Sequence, residues 1–227
     1  MFAALAGRGR VVQLAPVGGG YPARAAAEQG READDEEESG SKAHDEPFIM
    51  METLPELSQG VPPVVNAGVR LLVLGSLPGV QSLRAEQYYA HPRNGFWPLM
   101  EGVIGAPLVS LPYADRLATL LEHGVGLWDV VAEARRTGSL DAAMRDIVAN
   151  PLEELIGRLP RLQAIGFNGA TAAKIGRRTL GPIRLTLVDL PSSSPAFTLS
   201  LAQKAERWSA LTHFVDRPPR QRPPFPA

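Results

Sequence analysis

The sequence predicts an α/β fold in which a mostly parallel β-sheet carries helices on both faces. Three short runs of leucine and β-branched residues have the length and composition of buried strands, and they lie at 69–74, 162–167 and 183–190. Segments with the helical spacing of apolar residues lie between and after them, at 96–104, 113–123, 139–148, 170–180 and 199–214. This alternation favours a parallel sheet, because the connection between two parallel strands must cross a face of the sheet.

The first strand run, Val69–Leu74, reads VRLLVL and stops at Gly75. An uninterrupted apolar run of this length indicates a strand that is covered on both faces. Leu162–Phe167 and Ile183–Leu190 repeat this form, and each is followed by small or polar residues. Among the predicted helices, the one that begins at Phe96 is expected to bury its first aromatic residues in the core.

The composition divides the chain into a tail, one domain and a second tail. Residues 1–60 are rich in Gly, Ala, Pro and charge, so they cannot bury enough apolar surface to offset the entropy of ordering the backbone. We expect an acidic, disordered N-terminal tail over 1–60, one globular domain over 61–216, and a disordered Pro/Arg-rich tail over 217–227. An organellar transit peptide is the alternative for the first 27 residues, which contain arginine and no acid.

Charge is distributed unevenly along the chain. Residues 1–60 contain five Lys or Arg and eleven Asp or Glu, whereas 61–227 contain eighteen and thirteen, so the two parts carry −6 and +5. A mildly basic domain is compatible with a polyanionic partner, but many enzymes without such a partner carry a similar charge. The charge alone therefore does not identify a nucleic-acid-binding protein.

Composition also excludes several kinds of chemistry. The 227-residue chain has no cysteine, which rules out disulfides, Cys-ligated zinc, iron–sulfur clusters and thiol nucleophiles. Its four histidines are scattered and none is spaced as a metal-ligand pair, so we expect no metal site. The sequence has no apolar run of eighteen residues and no secretory leader, and we expect a cytoplasmic protein with no membrane contact.

Small, polar and glycine-containing loops follow all three predicted strands. They are Gly75–Gly79 (GSLPG), Asn168–Thr171 (NGAT) and Leu190–Ala196 (LPSSSPA). Ligands of parallel sheets bind beyond the carboxyl ends of the strands. Glycine permits a close approach of the backbone to a ligand, and serines between prolines can contact phosphate oxygens. Each loop alone is more typical of an ordinary turn, but three of them on one sheet edge favour a binding site.

Residues 88–97, YYAHPRNGFW, concentrate residue types that contact nucleic acids. Aromatic faces stack on nucleobases, arginine pairs with phosphate, and an amide can orient a water molecule or the edge of a base. Tyr89 and Asn94 precede the helix predicted at Phe96 and therefore lie in a loop. Loop positions favour a functional role for these two residues.

Five segments in this order resemble the uracil-DNA glycosylase superfamily, and specifically its hypoxanthine-DNA (deoxyinosine) glycosylase branch. They are GSLPG, YYAHPRNGFW, GLWDVV at 126–131, GFNGATAAK at 166–174, and LPSSSPA. The resemblance implies a three-layer α/β/α sandwich around a four-stranded parallel sheet. It further implies a monomer without metal or organic cofactor that hydrolyses the N-glycosidic bond of a flipped-out deaminated base in base excision repair, on nucleoid DNA of a bacterial cell.

The resemblance assigns the attacking water to Asn94. In the mismatch-specific uracil enzymes, an asparagine that orients this water stands at the position of Leu77, and a leucine cannot replace it. In the hypoxanthine branch the role is attributed to the asparagine of the PRN motif, which is Asn94 here. Tyr89 matches the aromatic residue that stacks on the extruded base.

The resemblance also implies a base pocket and a DNA-binding surface. The residues implied to bind the base are Gly75, Ser76, Leu77, Pro78, Gly79, Tyr89 and Asn168. Those implied to bind DNA are His91, Arg93, Pro191, Ser192, Ser193, Ser194 and Pro195. Leu190 stands where other members carry a histidine or asparagine that stabilises the uracil leaving group, which argues against efficient uracil removal.

Two polar residues of these segments also have a structural interpretation. Asn168 could offer a donor to O6 and an acceptor to N1–H of hypoxanthine, or it could cap the helix that follows Gly169. Asp129 lies in GLWDVV and does not follow one of the three predicted strands. We therefore interpret Asp129 as a structural residue.

Two other functions are compatible with the same motifs. The first is a glycosylase of this fold that acts on uracil or on thymine opposite guanine. The second is a DNA-binding module that kept the scaffold without the chemistry, which would agree with leucine at positions 77 and 190. A serine hydrolase is disfavoured because the sequence has no Gly-x-Ser-x-Gly motif.

Overall fold

The structure, a computed structural model, describes residues 56–216. Its strands are β1 (Glu56–Gln59), β2 (Leu71–Gly75), β3 (Val125–Asp129), β4 (Val131–Arg136), β5 (Arg145–Ala149), β6 (Ala164–Asn168) and β7 (Thr186–Leu190). Its α-helices are α1 (Val80–Ala85), α2 (Phe96–Ile104), α3 (Tyr113–Glu122), α4 (Leu152–Gly157), α5 (Ala170–Leu180) and α6 (Leu201–Trp208). Short 3-10 helices lie at Asp141–Ala143 and Ser209–Phe214.

The central sheet contains four parallel strands in the order β3-β2-β6-β7. Side chains of β2 alternate between the two faces, and both faces are covered by helices. Leu71 and Val73 belong to a core that includes residues of α2, α3 and α6, whereas Leu72 and Leu74 belong to a core with α4 and α5. The predicted three-layer α/β/α sandwich around a four-stranded parallel sheet is therefore confirmed.

The strand β3 was not predicted. Its sequence, VGLWD, is short and contains Gly126, which is unfavourable in a strand interior. The structure explains this glycine, because a Cβ at position 126 would lie 2.9 Å from Cγ1 of Val65 and 3.1 Å from the carbonyl oxygen of Val64. Close packing against these residues requires glycine where strand propensity disfavours it.

The helix predicted at 139–148 is wrong. This segment forms the short 3-10 helix and then β5, which pairs with β4 in an antiparallel sheet of order β1-β4-β5. The hydroxyl of Ser139 accepts a hydrogen bond from the Val80 amide, and the carboxylate of Asp141 accepts one from the Ser76 hydroxyl. These partners are distant in sequence, and they override the local helical pattern.

The ordered domain also begins earlier than predicted. Glu56–Gln59, which the sequence assigned to the N-terminal tail, form β1 and pair with β4 from Glu56 opposite Arg136 to Gln59 opposite Glu133. The rest of that predicted tail, 1–55, and the predicted tail at 217–227 lie outside the described residues. Within 56–216, no helix has the length and apolar character needed to cross a membrane.

Candidate active site

A cavity of about 500 Å³ lies beyond the carboxyl ends of the central strands. The chain leaves β2 toward β3 on one side and returns as β6 on the other, so the cavity lies at a switch point of the sheet, where ligands of α/β proteins bind. Its volume is within the range of small-molecule sites. The predicted site residues that line it are Gly75, Ser76, Leu77, Pro78, Gly79, Tyr89, His91, Asn94, Asn168, Ser192, Ser193, Ser194 and Pro195.

The first wall of the cavity is the loop Gly75–Gly79, which follows β2. The Val130 amide donates to the Gly75 carbonyl at 2.9 Å. The guanidinium of Arg136, which is buried at the end of β4, donates to the carbonyls of Leu77 and Pro78. The loop is therefore bonded to the segment after β3 and to β4.

Tyr89 is held in a constrained conformation at the cavity. Its φ of 54° is in the left-handed region, which is uncommon for an aromatic residue and is maintained only by strong surrounding contacts. Its ring stacks on Phe96 with centroids 3.7 Å apart and an interplanar angle of 11°. Burial, and next the charge of Asp129, raise the pKa of Tyr89 well above its usual value, so the side chain is a neutral phenol.

Tyr88 has a different environment from its neighbour. Its side chain is 2% exposed and its hydroxyl donates to the carbonyls of Val61 and Pro62, both at 3.1 Å. Tyr88 anchors the loop before α2 in the core. Tyr89 is therefore the tyrosine of this pair that is free to stack on a ligand.

The amide of Asn94 is fixed in the cavity wall. The backbone N–H of Phe96 donates to the side-chain oxygen Oδ1 of Asn94 at 3.0 Å, and the backbone N–H of Asn94 donates to the His91 carbonyl at 2.8 Å. Because a backbone N–H can only donate, the atom that it contacts must be the oxygen, which settles the orientation of the side-chain amide. Asn94 is half-buried and lines the cavity rather than the hydrophobic core.

Asn168, at the end of β6, joins two parts of the site. Its Nδ2 donates to the Tyr89 hydroxyl at 3.2 Å and to Ser193 Oγ at 2.9 Å, while its Oδ1 accepts from the Ser193 amide at 2.8 Å. Both hydrogens of Nδ2 are thus engaged within the protein, and the prediction that Asn168 donates to a base does not agree with this geometry. The capping alternative is also wrong, because Gly169 is the N-cap of α5 and no side chain caps it.

Three hydrogen bonds to backbone carbonyls hold the loop Leu190–Ala196. The Gly95 amide donates to the Ser193 carbonyl at 2.9 Å, the ammonium of Lys204 donates to the Ser194 carbonyl at 2.9 Å, and the Trp208 indole donates to the Pro191 carbonyl at 3.0 Å. Pro195 is exposed at the tip. These three hydrogen bonds join the loop to the start of α2 and to α6.

Ser193, Pro191 and Arg93 were expected to contact DNA, and their surroundings in the structure differ. Ser193 is 1% exposed and faces Asn168, so it builds the cavity, and its predicted place on the DNA-binding surface is corrected. Pro191 and Arg93 do not line the cavity. Arg93 is exposed beside His91, whose Nδ1 accepts a hydrogen bond from the backbone N–H of Arg93 at 3.0 Å.

Asp129 is a cavity residue, and the expectation that it lies away from the end of a strand is wrong. It ends β3 opposite Gly75, is 3% exposed and lines the cavity. Burial, and next the charge of Asp141, raise the pKa of its carboxyl to about 8, although the charge of Arg136 lowers it. The error follows from the missed strand, because a polar residue at the carboxyl end of β3 would have been a candidate.

The cavity also has lining residues that were not among the predicted site residues. They are Gln81 and Ser82 of α1, Ser139, Leu140 and Asp141 between β4 and β5, and Tyr88, Ala196 and Phe197. Within the part of the chain that the structure describes, no three His, Asp or Glu side chains come together in a group that could hold a metal ion.

The chain matches a known protein family over this domain. The model of the uracil DNA glycosylase superfamily matches residues 62–214. The chain therefore belongs to the uracil-DNA glycosylase superfamily, and the resemblance seen in the five sequence segments is confirmed.

Individual relatives give a finer comparison. The chain is 37% identical over 151 residues to a protein of Methanosarcina barkeri named hypoxanthine DNA glycosylase, which covers 66% of this chain and 95% of that protein. A protein of Methanosarcina acetivorans with the same name is 36% identical over 155 residues, covering 68% and 98%. A solution NMR structure from Methanosarcina acetivorans, of a protein proposed to be a uracil DNA glycosylase, is similar with a TM-score of 0.61 at 34% identity, covering 69% and 97%.

Proposed function

We propose that this protein is a monofunctional DNA-deoxyinosine glycosylase, which hydrolyses the N-glycosidic bond of a hypoxanthine nucleotide flipped out of DNA. The observation that carries this proposal is the amide of Asn94, held by the start of α2 in the wall of a cavity of about 500 Å³ that also contains Tyr89. Similarity to proteins named hypoxanthine DNA glycosylase over nearly their whole length supports the choice of base.

The base must leave the duplex before it can react. Extrusion costs a few kcal/mol of stacking and pairing, and an aromatic contact contributes about 1–3 kcal/mol in return. Tyr89, supported by Phe96 from one side, is placed to provide this contact. The exposed tip at Pro195 is placed to press on the DNA strand beside the extruded nucleotide.

The reaction adds water across the bond between C1′ and N9 of the nucleotide. The water oxygen bonds to C1′, the C1′–N9 bond breaks with its electron pair going to the base, and the proton of the water ends on the base. Positive charge develops on the sugar as the bond breaks. A neutral amide is sufficient here, because a water molecule that attacks a cationic sugar needs orientation more than deprotonation. Asn94 has this role in our proposal.

The substrate in this proposal is DNA, and the active unit is a monomer. Arg93 is exposed beside the cavity residue His91. A guanidinium in this position can pair with a phosphate of the bound strand.

The variant Asn94→Ala tests the proposal. We expect it to lose at least about 100-fold in single-turnover release of hypoxanthine from a deoxyinosine duplex, because the water is no longer oriented, while its affinity for the same duplex stays within about threefold. Asn66→Ala is the matched control, since Asn66 Oδ1 also accepts a backbone N–H two residues on, that of Gly68 at 2.8 Å, away from the cavity. The control should retain the parental rate.

The same experiment separates an enzyme from a binding module. A parent protein that binds the deoxyinosine duplex and releases no base would contradict the proposal and support a scaffold that has lost the chemistry. Equal rates for the parent and Asn94→Ala would leave the glycosylase assignment intact and remove Asn94 as its water-orienting residue.

A further inference from the structure

Asp129 lies where a ligand of the cavity would meet it. It is the last residue of β3, opposite Gly75 of β2, and it lines the cavity. A Cβ at position 75 would collide with Asp129 Oδ1 and would lie 3.4 Å from the hydroxyl oxygen of Tyr89. The absence of a side chain at Gly75 thus makes room for the Asp129 carboxyl beside the ring that stacks on the base in our proposal.

The carboxyl of Asp129 has capacity for a hydrogen bond that the protein does not use. Its Oδ2 is buried and has no hydrogen-bond partner among residues 56–216. Arg136 donates from its two Nη atoms to the carbonyls of Leu77 and Pro78, and its Nε is buried without a partner in the described part of the chain. Buried polar atoms are nearly always paired, so an unpaired one at a cavity has the capacity to pair with a ligand that enters it.

The surroundings of Asp129 favour the neutral acid over the carboxylate. An isolated carboxylate in a buried site costs so much solvation free energy that the group keeps its proton instead. The charged and titratable groups that face it are Arg136 from β4, Asp141 from the 3-10 helix, and Tyr88 and Tyr89 from the loop before α2. Burial is the largest effect and raises the pKa of Asp129 to about 8, so the acid form predominates at neutral pH.

We propose that Asp129 is a residue that hydrogen-bonds the extruded base, as a neutral carboxylic acid whose hydroxyl donates to a carbonyl oxygen of the base. The acid presents a donor and an acceptor side by side, and this pair is complementary to the C6=O and N1–H edge that deamination creates in hypoxanthine. The inference rests on the proposed glycosylase function and names the group that reads the base. Asn168, with both N–H groups engaged, then positions Ser193 and Tyr89.

The neutral acid also assists departure of the base. When the C1′–N9 bond breaks, the electron pair stays with the base and its negative charge spreads partly to the carbonyl oxygen. A donor already aimed at this oxygen in a dry site stabilises the charge as it forms. No proton moves to the base from Asp129, since the attacking water supplies it. An ionised Asp129 would repel the same charge, so loss of its proton should abolish the effect.

The experiment is the pH dependence of hypoxanthine release from a deoxyinosine duplex in single turnover, between pH 5.5 and 9.5. For the parent we expect a rate that falls about tenfold per pH unit above a pKa near 8. Asp129→Asn keeps a donor and cannot ionise, so its rate at pH 6.5 should be within about tenfold of the parent and should not fall at high pH. Asp129→Ala should lose about 100-fold at pH 6.5, as for other donors to a developing anion.

One further aspartate serves as a matched control, and another tests the electrostatic effect on Asp129. Asp189→Asn removes an exposed carboxylate paired with Arg177, outside the cavity. It should leave unchanged the falling limb of the pH profile, which is the decrease in the rate of hypoxanthine release at high pH. Asp141→Asn removes a charge that raises the pKa of Asp129, so it should move the falling limb to lower pH. A limb that stays in place or moves upward in Asp141→Asn would contradict the electrostatic part of the inference.

The outcomes for the base-reading role are distinct from those for the proposed function. A parent protein that releases no hypoxanthine at any pH contradicts the proposed function. A parent that releases hypoxanthine, with a falling limb that persists unchanged in Asp129→Asn, overturns the inference and leaves the function intact. Asp129→Ala with parental rates, in a protein whose circular dichroism spectrum shows it to be folded, overturns it as well.

Discussion

The ends of β6 and β3 lie on the two sides of β2, and each carries a buried polar residue. Asn168 ends β6 with three hydrogen bonds, to Ser193 twice and to Tyr89. Asp129 ends β3 with a buried oxygen that has no partner in the described part of the chain. Two residues at equivalent strand ends thus differ, because the side chain of Asn168 is fully paired and that of Asp129 has an unpaired oxygen.

This difference indicates that one residue maintains the structure of the cavity and the other contacts the ligand. A fully paired buried group stabilises the arrangement around it, and its removal leaves its partners unpaired. An unpaired buried group costs free energy in the unliganded protein and retains its capacity to bind a ligand. We expect Asn168 to hold the cavity in shape, and Asp129 to reduce the stability of the free protein in favour of contact with the base.

The largest expected effect is that of Asn168→Ala. It leaves the amide and hydroxyl of Ser193 and the hydroxyl of Tyr89 without their partner, at a cost of about 3 kcal/mol in the free energy of unfolding. Displacement of Tyr89 and of the serine loop should reduce base release about 100-fold. Chemical denaturation and single-turnover assays measure the two effects. Parental stability in this variant would show that the bonds of Asn168 do not hold the site.

Asp129→Asn should have the opposite effect on stability. In the parent, folded Asp129 keeps its proton up to about pH 8, whereas an unfolded aspartate loses it near pH 4. The folded state therefore binds the proton more tightly, and the contribution of this group to stability falls as pH rises from about 4 to 8. The free energy of unfolding of Asp129→Asn relative to the parent should increase over this range by at least about 2 kcal/mol.

Denaturation curves at pH 5 and pH 8 measure this change. Asp189→Asn is the control, because Asp189 is an exposed residue and its removal should produce no comparable difference between the two pH values. A constant difference between Asp129→Asn and the parent across this range would mean that Asp129 is ionised in the folded protein.

A smaller effect on activity is expected from Lys204, which contacts the loop Leu190–Ala196 from α6. Lys204 is 4% exposed, donates to the Ser194 carbonyl and lies 5.6 Å from the centre of the Phe197 ring. Lys204→Met should loosen the loop and raise KM for the deoxyinosine duplex about fivefold with a smaller change in kcat. Lys174→Met, which removes an exposed lysine of α5, controls for the lost charge. Equal effects of the two variants would assign the change to charge alone.

Local patterns in the sequence predicted the parts of the fold that depend on local signals. The helices at Phe96–Ile104 and Ala170–Leu180 lie where apolar spacing places them, and three strands of the central sheet were identified from apolar runs. The expected burial is wrong for β7, which lies at the edge of the sheet and is partly exposed. The β4–β5 hairpin was missed because Ile147 and Val148 are exposed, so β5 lacks the burial pattern of a strand. The formation of β5 depends on its pairing with β4, and the residues of β5 alone do not reveal this pairing.

The site was predicted as a set of loops, and its internal bonding was not. Tyr89, Asn94 and the two loops at 75–79 and 190–196 were found from residue type and position at strand ends. The partners of Asn168 are 25 and 79 residues away in sequence, and such contacts cannot be derived without the fold. Asp129 was misassigned because Gly126 concealed the strand that carries it to the cavity.

Release of free base from three otherwise identical duplexes, containing deoxyinosine, deoxyuridine or a G:T mismatch, tests the central claim most directly. Mass spectrometry of the released base, with alkaline cleavage of the abasic strand, measures each rate under single-turnover conditions. We expect hypoxanthine to be released fastest, and uracil and thymine at least about tenfold more slowly. Faster release of uracil or thymine would contradict the assignment of hypoxanthine, and no release from any duplex would contradict the assignment as a glycosylase.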